Sequence, residues 1–194
     1  MSGPGREHPT EERVGSGPSG TVTVRRVRPD DVPTVLRLVR ELAAYEKAEH
    51  EALMTAEQLS AALFGPSPAL FGHVALADDG EVAGFTLWFL NFSTWRGTHG
   101  VYLEDLYVSP GHRGTGLGRE LLRTLAQECV DRGFARLEWS VLDWNTPSID
   151  FYRAAGAAPM DEWTLFRLTD AALAGFAADR RCSLPTTDPE ETTA

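Results

Sequence analysis

Cysteine is scarce: two stand in 194 residues, too few for a disulfide framework. Cys129 falls in a helical pattern and Cys182 in a polar tail, and no C-x-x-C is present, so a reducing cytoplasm is expected. No apolar run reaches membrane-spanning length, and the first residues lack the apolar segment of a signal peptide; no membrane partner is expected. Histidines at 50, 73, 99 and 112 show no ligand spacing, so no metal is expected either. Basic charge is short as well, with 18 Lys and Arg against 28 Asp and Glu for a net −10. Without residues 1–20 and 179–194, 21 acidic side chains still face 14 basic ones, so the excess belongs to the body of the chain. A nucleic-acid binder needs a basic face, so the charge argues against that class and no nucleic-acid partner is expected. A small cationic partner suits the charge, although acidity also serves solubility alone.

What the chain does have is one organising stretch, VYLEDLYVSPGHRGTGLGRELL at 101–122. Its β-branched and aromatic start, 101–108, predicts a strand. Pro110 and Gly111 break it, and the loop 113–118 holds Arg113, Gly114, Thr115, Gly116, Leu117 and Gly118. Leu117, Leu121, Leu122 and Leu125 then recur on one helical face. Strand, glycine loop and helix turn backbone N–H groups and a helix dipole toward one anion. Glycines allow close backbone approach, and Arg113 adds a permanent charge suited to phosphate. A P-loop is excluded, because no Lys follows the glycines. A dinucleotide fingerprint is excluded too, because Arg119 stands where its third glycine would be.

Around that stretch the pattern predicts one α/β domain at 21–178 between disordered tails at 1–20 and 179–194. A strand is expected at 21–28 and a helix to about residue 46. Thr55 and Gln58 form a capping box for a second helix. Strands at 71–77 and 81–91 flank the turn Asp78-Asp79-Gly80. After the helix that ends near Gly133 come a strand at 136–142, a helix at 146–155 capped by Asn145, a last strand at 163–168 and a weak helix at 171–178. The order β-α-α-β-β-β-α-β-α-β implies a mixed sheet with helices on both faces.

The R-x-x-G-x-G loop, Arg113 to Gly118, resembles the pyrophosphate loop of the GNAT N-acetyltransferases. The strings AAYE at 43–46, YLEDLYV at 102–108 and WNTPSIDFYRAAGA at 144–157 resemble the diamine (spermidine/spermine and thialysine) acetyltransferases within that superfamily. The likeness spans about residues 24–173 and agrees with the expected element order. It implies acetyl-CoA as cosubstrate, a small cationic amine as acceptor, and a homodimer.

The same resemblance implies roles for particular residues. Tyr152, which spacing with Ile149 and Ala155 alone would make a packing residue, becomes the general acid for the departing thiolate. Glu104 becomes the carboxylate that binds the amine and helps remove its proton. Glu104 and Asp105 are expected on opposite strand faces, because a strand has a period of two. A carboxylate is a weak base for an alkylammonium of pKa about 10 unless burial raises its own pKa or water relays the proton. Leu106, Tyr107 and Val108 offer backbone to the pantetheine arm and one N–H to the acetyl carbonyl. With the loop 113–118 and Arg119, the segment Asn145, Thr146, Pro147 and Ser148 borders CoA; by pattern alone it is a helix cap. Some family members carry Glu where Thr146 stands, so one charge near the cofactor is absent here. Tyr45, Glu46, Asp105, Glu138, Trp139 and Ser140 line the acceptor site, Trp139 being bulkier than the family's usual residue. Two other readings stay open: another acceptor (an antibiotic, an amino acid or a protein N-terminus), or a CoA-binding module without activity.

Overall fold

The computed structural model describes residues 13–17 and 20–179. The chain falls into two units, Met1–Phe151 and Tyr152–Ala194. The first is built on a six-stranded sheet, with its strands in chain order across it. These are β1 (Arg13–Gly17), β2 (Gly20–Arg26), β3 (Phe71–Leu76), β4 (Val82–Ser93), β5 (Thr98–Val108) and β6 (Leu137–Glu138). All neighbours are antiparallel except β5 and β6, which run parallel on either side of a helix.

Helices cover both faces. On one lie α1 (Val32–Tyr45) and α2 (Ala56–Phe64), packed over Val74, Phe85, Leu87 and Tyr107. The Thr55–Gln58 capping box starts α2: the Thr55 hydroxyl accepts from the Gln58 N–H at 3.3 Å, and the Gln58 side chain accepts from the Thr55 N–H at 2.9 Å. On the other face lies α3 (Leu117–Asp131), which sets Leu117 and Leu121 against Val22, Val24, Ala75, Ala83 and Val108. Ala83 through Trp88 are buried one after another, as a strand covered on both faces requires. Burial of Phe85 and of Leu87 stabilises the sheet by about 1.5–3 kcal/mol each.

The alternation of β5 breaks once. Leu87 pairs with Asp105 and Trp88 with Leu103, so Glu104 is an extra residue, a β-bulge. Val101 and Leu103 share one face; beyond the bulge that face passes to Leu106 and Val108, while Asp105 joins Tyr107 on the α1 side.

Several sequence expectations differ from what the chain forms. Arg13–Gly17, inside the expected tail 1–20, is a strand paired with β2; the expected tails 1–12 and 180–194 lie outside the described residues. The strand expected at 136–142 is only Leu137–Glu138, paired at Val101↔Leu137 and Tyr102↔Glu138. The parallel ladder therefore stops while β5 continues from Leu103 to Val108, and the two strands part there. In the second unit the strand expected at 163–168 is absent; these residues carry no regular structure, and Trp163, Leu165 and Phe166 are exposed. The weak helix is present as α5 (Asp170–Ala178).

Candidate active site

The loop after β5 is shaped by two left-handed glycines, Gly114 at φ 82° and Gly116 at φ 102°. Gly116 is the N-cap of α3, whose first N–H groups have no partner inside the helix. A Cβ on Gly114 would meet nothing within 4 Å, so the loop faces open room. The Leu117 side chain is buried in the core, which leaves its backbone to serve a ligand. Thr115 turns its hydroxyl to the His112 carbonyl at 2.7 Å and braces the loop. Glycine conformation, a helix N-terminus and free volume meet as an anion cradle requires.

Arg113 is anchored at the strand end of that loop. Its Nε donates to the Val108 carbonyl at 3.0 Å, and its guanidinium lies 5.1 Å from the Tyr45 ring centre and 5.4 Å from that of Tyr107. It ties the end of β5 to the end of α1 by cation–π contact. Tyr45 in turn donates its hydroxyl to the Asn145 side chain at 3.1 Å and packs against Trp144, with ring centres 5.7 Å apart. Asn145 is buried, and its same oxygen accepts the Ser148 N–H at 3.3 Å, capping α4 (Thr146–Ala154). Tyr45, Tyr107, Arg113 and Asn145, far apart in sequence, are thus one cluster. Glu41 and Trp144 belong to it and escaped the sequence reading. Glu41 could have been found: it lies one helical turn before Tyr45 on α1. Burial first, then the Glu41 charge, pushes the Tyr107 phenol up, while Arg113 opposes the shift.

Beside this cluster stand three carboxylates. Glu104 is exposed at the bulge, and Asp105 and Glu46 are half-buried. The Asp105 carboxyl lies deep enough that burial, with the charges of Glu104 and Glu46 added, pushes it up to about 7. Burial also raises Glu46. Among the described residues none of the three has a hydrogen-bonding or cationic partner. They border the region where β5 and β6 part.

The remaining expected residues lie further along. Glu138 is engaged, its carboxylate 2.8 Å from Arg136 and accepting from Asn91 at 2.7 Å. Ser140 is exposed and shares a hydrogen bond of 3.0 Å with the Tyr102 hydroxyl; Trp139 is half-buried. Thr146 and Pro147 are exposed in the first turn of α4. Tyr152, half-buried, lies on α4 where the second unit begins.

Residues 36–157 match the sequence model of the Acetyltransferase (GNAT) family. The chain belongs to the GNAT acetyltransferase family. It is an acyl-CoA-dependent N-acetyltransferase. The chain is similar to thialysine N-epsilon-acetyltransferase of Bos taurus, 37% identical over 164 residues covering 78% of this chain and 95% of that protein. It is also similar to L-ornithine N5-acetyltransferase of Arabidopsis thaliana, 30% identical, with 81% of this chain and 90% of that protein covered. Its fold resembles that of an integron cassette protein from the mobile metagenome of V. cholerae, with a TM-score of 0.68 at 24% identity, covering 81% of this chain and 98% of that one. Among the described residues no helix is long and apolar enough to cross a membrane.

Proposed function

We propose that this enzyme transfers the acetyl group of acetyl-CoA to a primary amine on a small di- or polyamine or a thialysine-like amino acid. The observation that carries the reading is the uncompensated carboxylate group Glu104, Asp105 and Glu46 beside the parting of β5 and β6. A cationic acceptor supplies the charge that this group lacks. Acetyl-CoA brings the activated thioester. Gly114, Thr115, Gly116, Leu117, Gly118 and Arg119 would hold its pyrophosphate through backbone N–H groups. Beyond its last pair with β6, the edge of β5 at Leu106, Tyr107 and Val108 would pair with its pantetheine arm, as an added strand pairs with a sheet edge. Glu104 and Asp105 serve the amine, and Tyr152, placed by the resemblance of its F-Y pair, is the general acid. The same likeness supports a homodimer, and the apolar side chains exposed at Trp163, Leu165 and Phe166 offer area for a second copy to cover; the scarcity of cysteine supports a cytoplasmic location.

Thiol release from acetyl-CoA with a panel of amines, aminoglycosides and peptide N-termini tests the acceptor. Rates confined to peptides or aminoglycosides would displace the small-amine reading. The cradle has its own test. Acetyl-CoA at a hundredfold excess over Kd should stabilise the fold by about 2.7 kcal/mol, visible as a melting shift. Gly116→Glu should abolish that shift, because it forces a side chain with negative charge into a left-handed position at the helix N-terminus. A shift of unchanged size would place the pyrophosphate elsewhere.

A further inference from the structure

The period of two along β5 would set Asp105 on the same face as Leu103, against α3. The bulge at Glu104 prevents this. Asp105 instead pairs with Leu87 and shares the α1 face with Tyr107. Glu104, the residue that makes the bulge, is left exposed. One strand therefore presents two adjacent carboxylates in different environments, one bathed in water and one withdrawn from it. We propose that Asp105, not Glu104, is the carboxylate that takes the acceptor's ammonium group and accepts its proton. This rests on the amine-acetylating reading above and divides the labour within it.

The surroundings favour that assignment. Across the ladder stands Leu87, which has no charge to offer. On its own strand Asp105 faces the charge of Glu104, and at the end of α1 that of Glu46. Further along the same face, Tyr107 carries the Arg113 guanidinium and lies beside Glu41, whose other neighbour is Arg37. Arg113 also donates to the Val108 carbonyl, and among the described residues no cation is paired with Asp105. A withdrawn carboxyl with acidic neighbours and no counter-ion holds its proton near neutrality, as a general base working at pH 7 must. Glu104, exposed at the bulge, is left to attract the cation at the entrance.

The chemistry balances. The ammonium gives one proton to the Asp105 carboxylate and becomes a free amine. Its lone pair forms the C–N bond to the acetyl carbon as the C–S bond breaks, and the sulfur leaves with that electron pair. The proton lost by the nitrogen on forming the amide equals the one gained by the sulfur, with Tyr152 as the proposed relay. Asp105 then releases its proton to water, so each turnover yields one amide, one thiol and one proton.

Initial rates with thialysine and with a primary diamine, followed across pH, test the assignment. In the wild type kcat/KM should rise about tenfold per pH unit below about 7 and then level until the amine's own pKa near about 10. Asp105→Asn should lose the break, climb without levelling toward that amine pKa, and fall roughly 10²–10⁴-fold at pH 7. Glu104→Gln should keep the break, moved to lower pH by loss of a negative neighbour, with a raised acceptor KM. A melting shift with acetyl-CoA in Asp105→Asn verifies that the variant is folded. If it does not fold, the wild-type and Glu104→Gln profiles still decide. A wild-type profile that climbs unbroken, or a break that vanishes in Glu104→Gln, would overturn the role of Asp105. Failure of the underlying reading looks different: no amine would release thiol at any pH.

Discussion

Tyr152→Phe should bind acetyl-CoA as well as the wild type does and turn over roughly 10²–10⁴-fold more slowly. The substitution keeps the ring and its packing on α4 and removes only the hydroxyl. In the proposed role the phenol supplies the proton that the CoA thiolate takes up as the C–S bond opens. The loss should therefore appear in kcat and kcat/KM together, because the interaction exists only in the transition state. The melting shift with acetyl-CoA reports binding separately from chemistry. Near-full turnover in Tyr152→Phe would return this tyrosine to a packing role and give the acid to water or another group.

The second large effect is on stability. Burial, with the neighbouring carboxylates, pushes the Asp105 carboxyl up from the ordinary 3.8 to about 7 in the fold. A group whose folded pKa is raised contributes stability that is complete below its unfolded pKa and is lost as pH rises through its folded one. Wild type should therefore lose stability, relative to Asp105→Asn, between about pH 4 and about pH 7. At about 1.36 kcal/mol per pKa unit the loss is on the order of 4 kcal/mol. Urea unfolding of both proteins at either end of that range measures it. Parallel stability curves would mean that the carboxyl ionises in the fold as readily as in water. A steeper loss in the variant would contradict the sign outright. The trade between a ready base and a stable fold is common at active sites.

Patterning carried the sequence reading wherever a residue's role depends on its neighbours in the chain. The capping box at Thr55 and Gln58, the left-handed turn at Gly80, the end of α3 before Gly133 and the Asn145 cap are local, and all are present. The two-faced covering of β4 follows from an apolar run too long to leave exposed. What escaped depends on pairing across the sheet. Nothing in YLEDLYV marks Glu104 as the supernumerary residue, because a bulge is defined by the partner strand. The early end of β6 was hidden for the same reason, as was the strand at Arg13–Gly17, whose glycine- and serine-rich sequence has little strand preference of its own. Arg113 was legible as a cation beside a glycine loop, but its attachment to Tyr45 and Tyr107 needs the fold that brings α1 to the end of β5.

The supernumerary residue gives this enzyme an unusual point of fragility. Deleting Glu104 would make Leu103 and Asp105 consecutive partners of Trp88 and Leu87, so the ladder would heal. Every later side chain would keep its face, and the hydrophobic core would be unchanged in composition. Deletion of a residue from a central strand ordinarily throws everything beyond it out of phase. Here it would restore phase and straighten a strand whose bend the extra residue creates. The expected product is a well-folded protein with a melting temperature near the wild type's and lowered turnover, since the Glu104 charge and the bend beside Asp105 are both gone. In a library of single-codon deletions, this strand would hold one position that selection for folding ignores and selection for catalysis opposes.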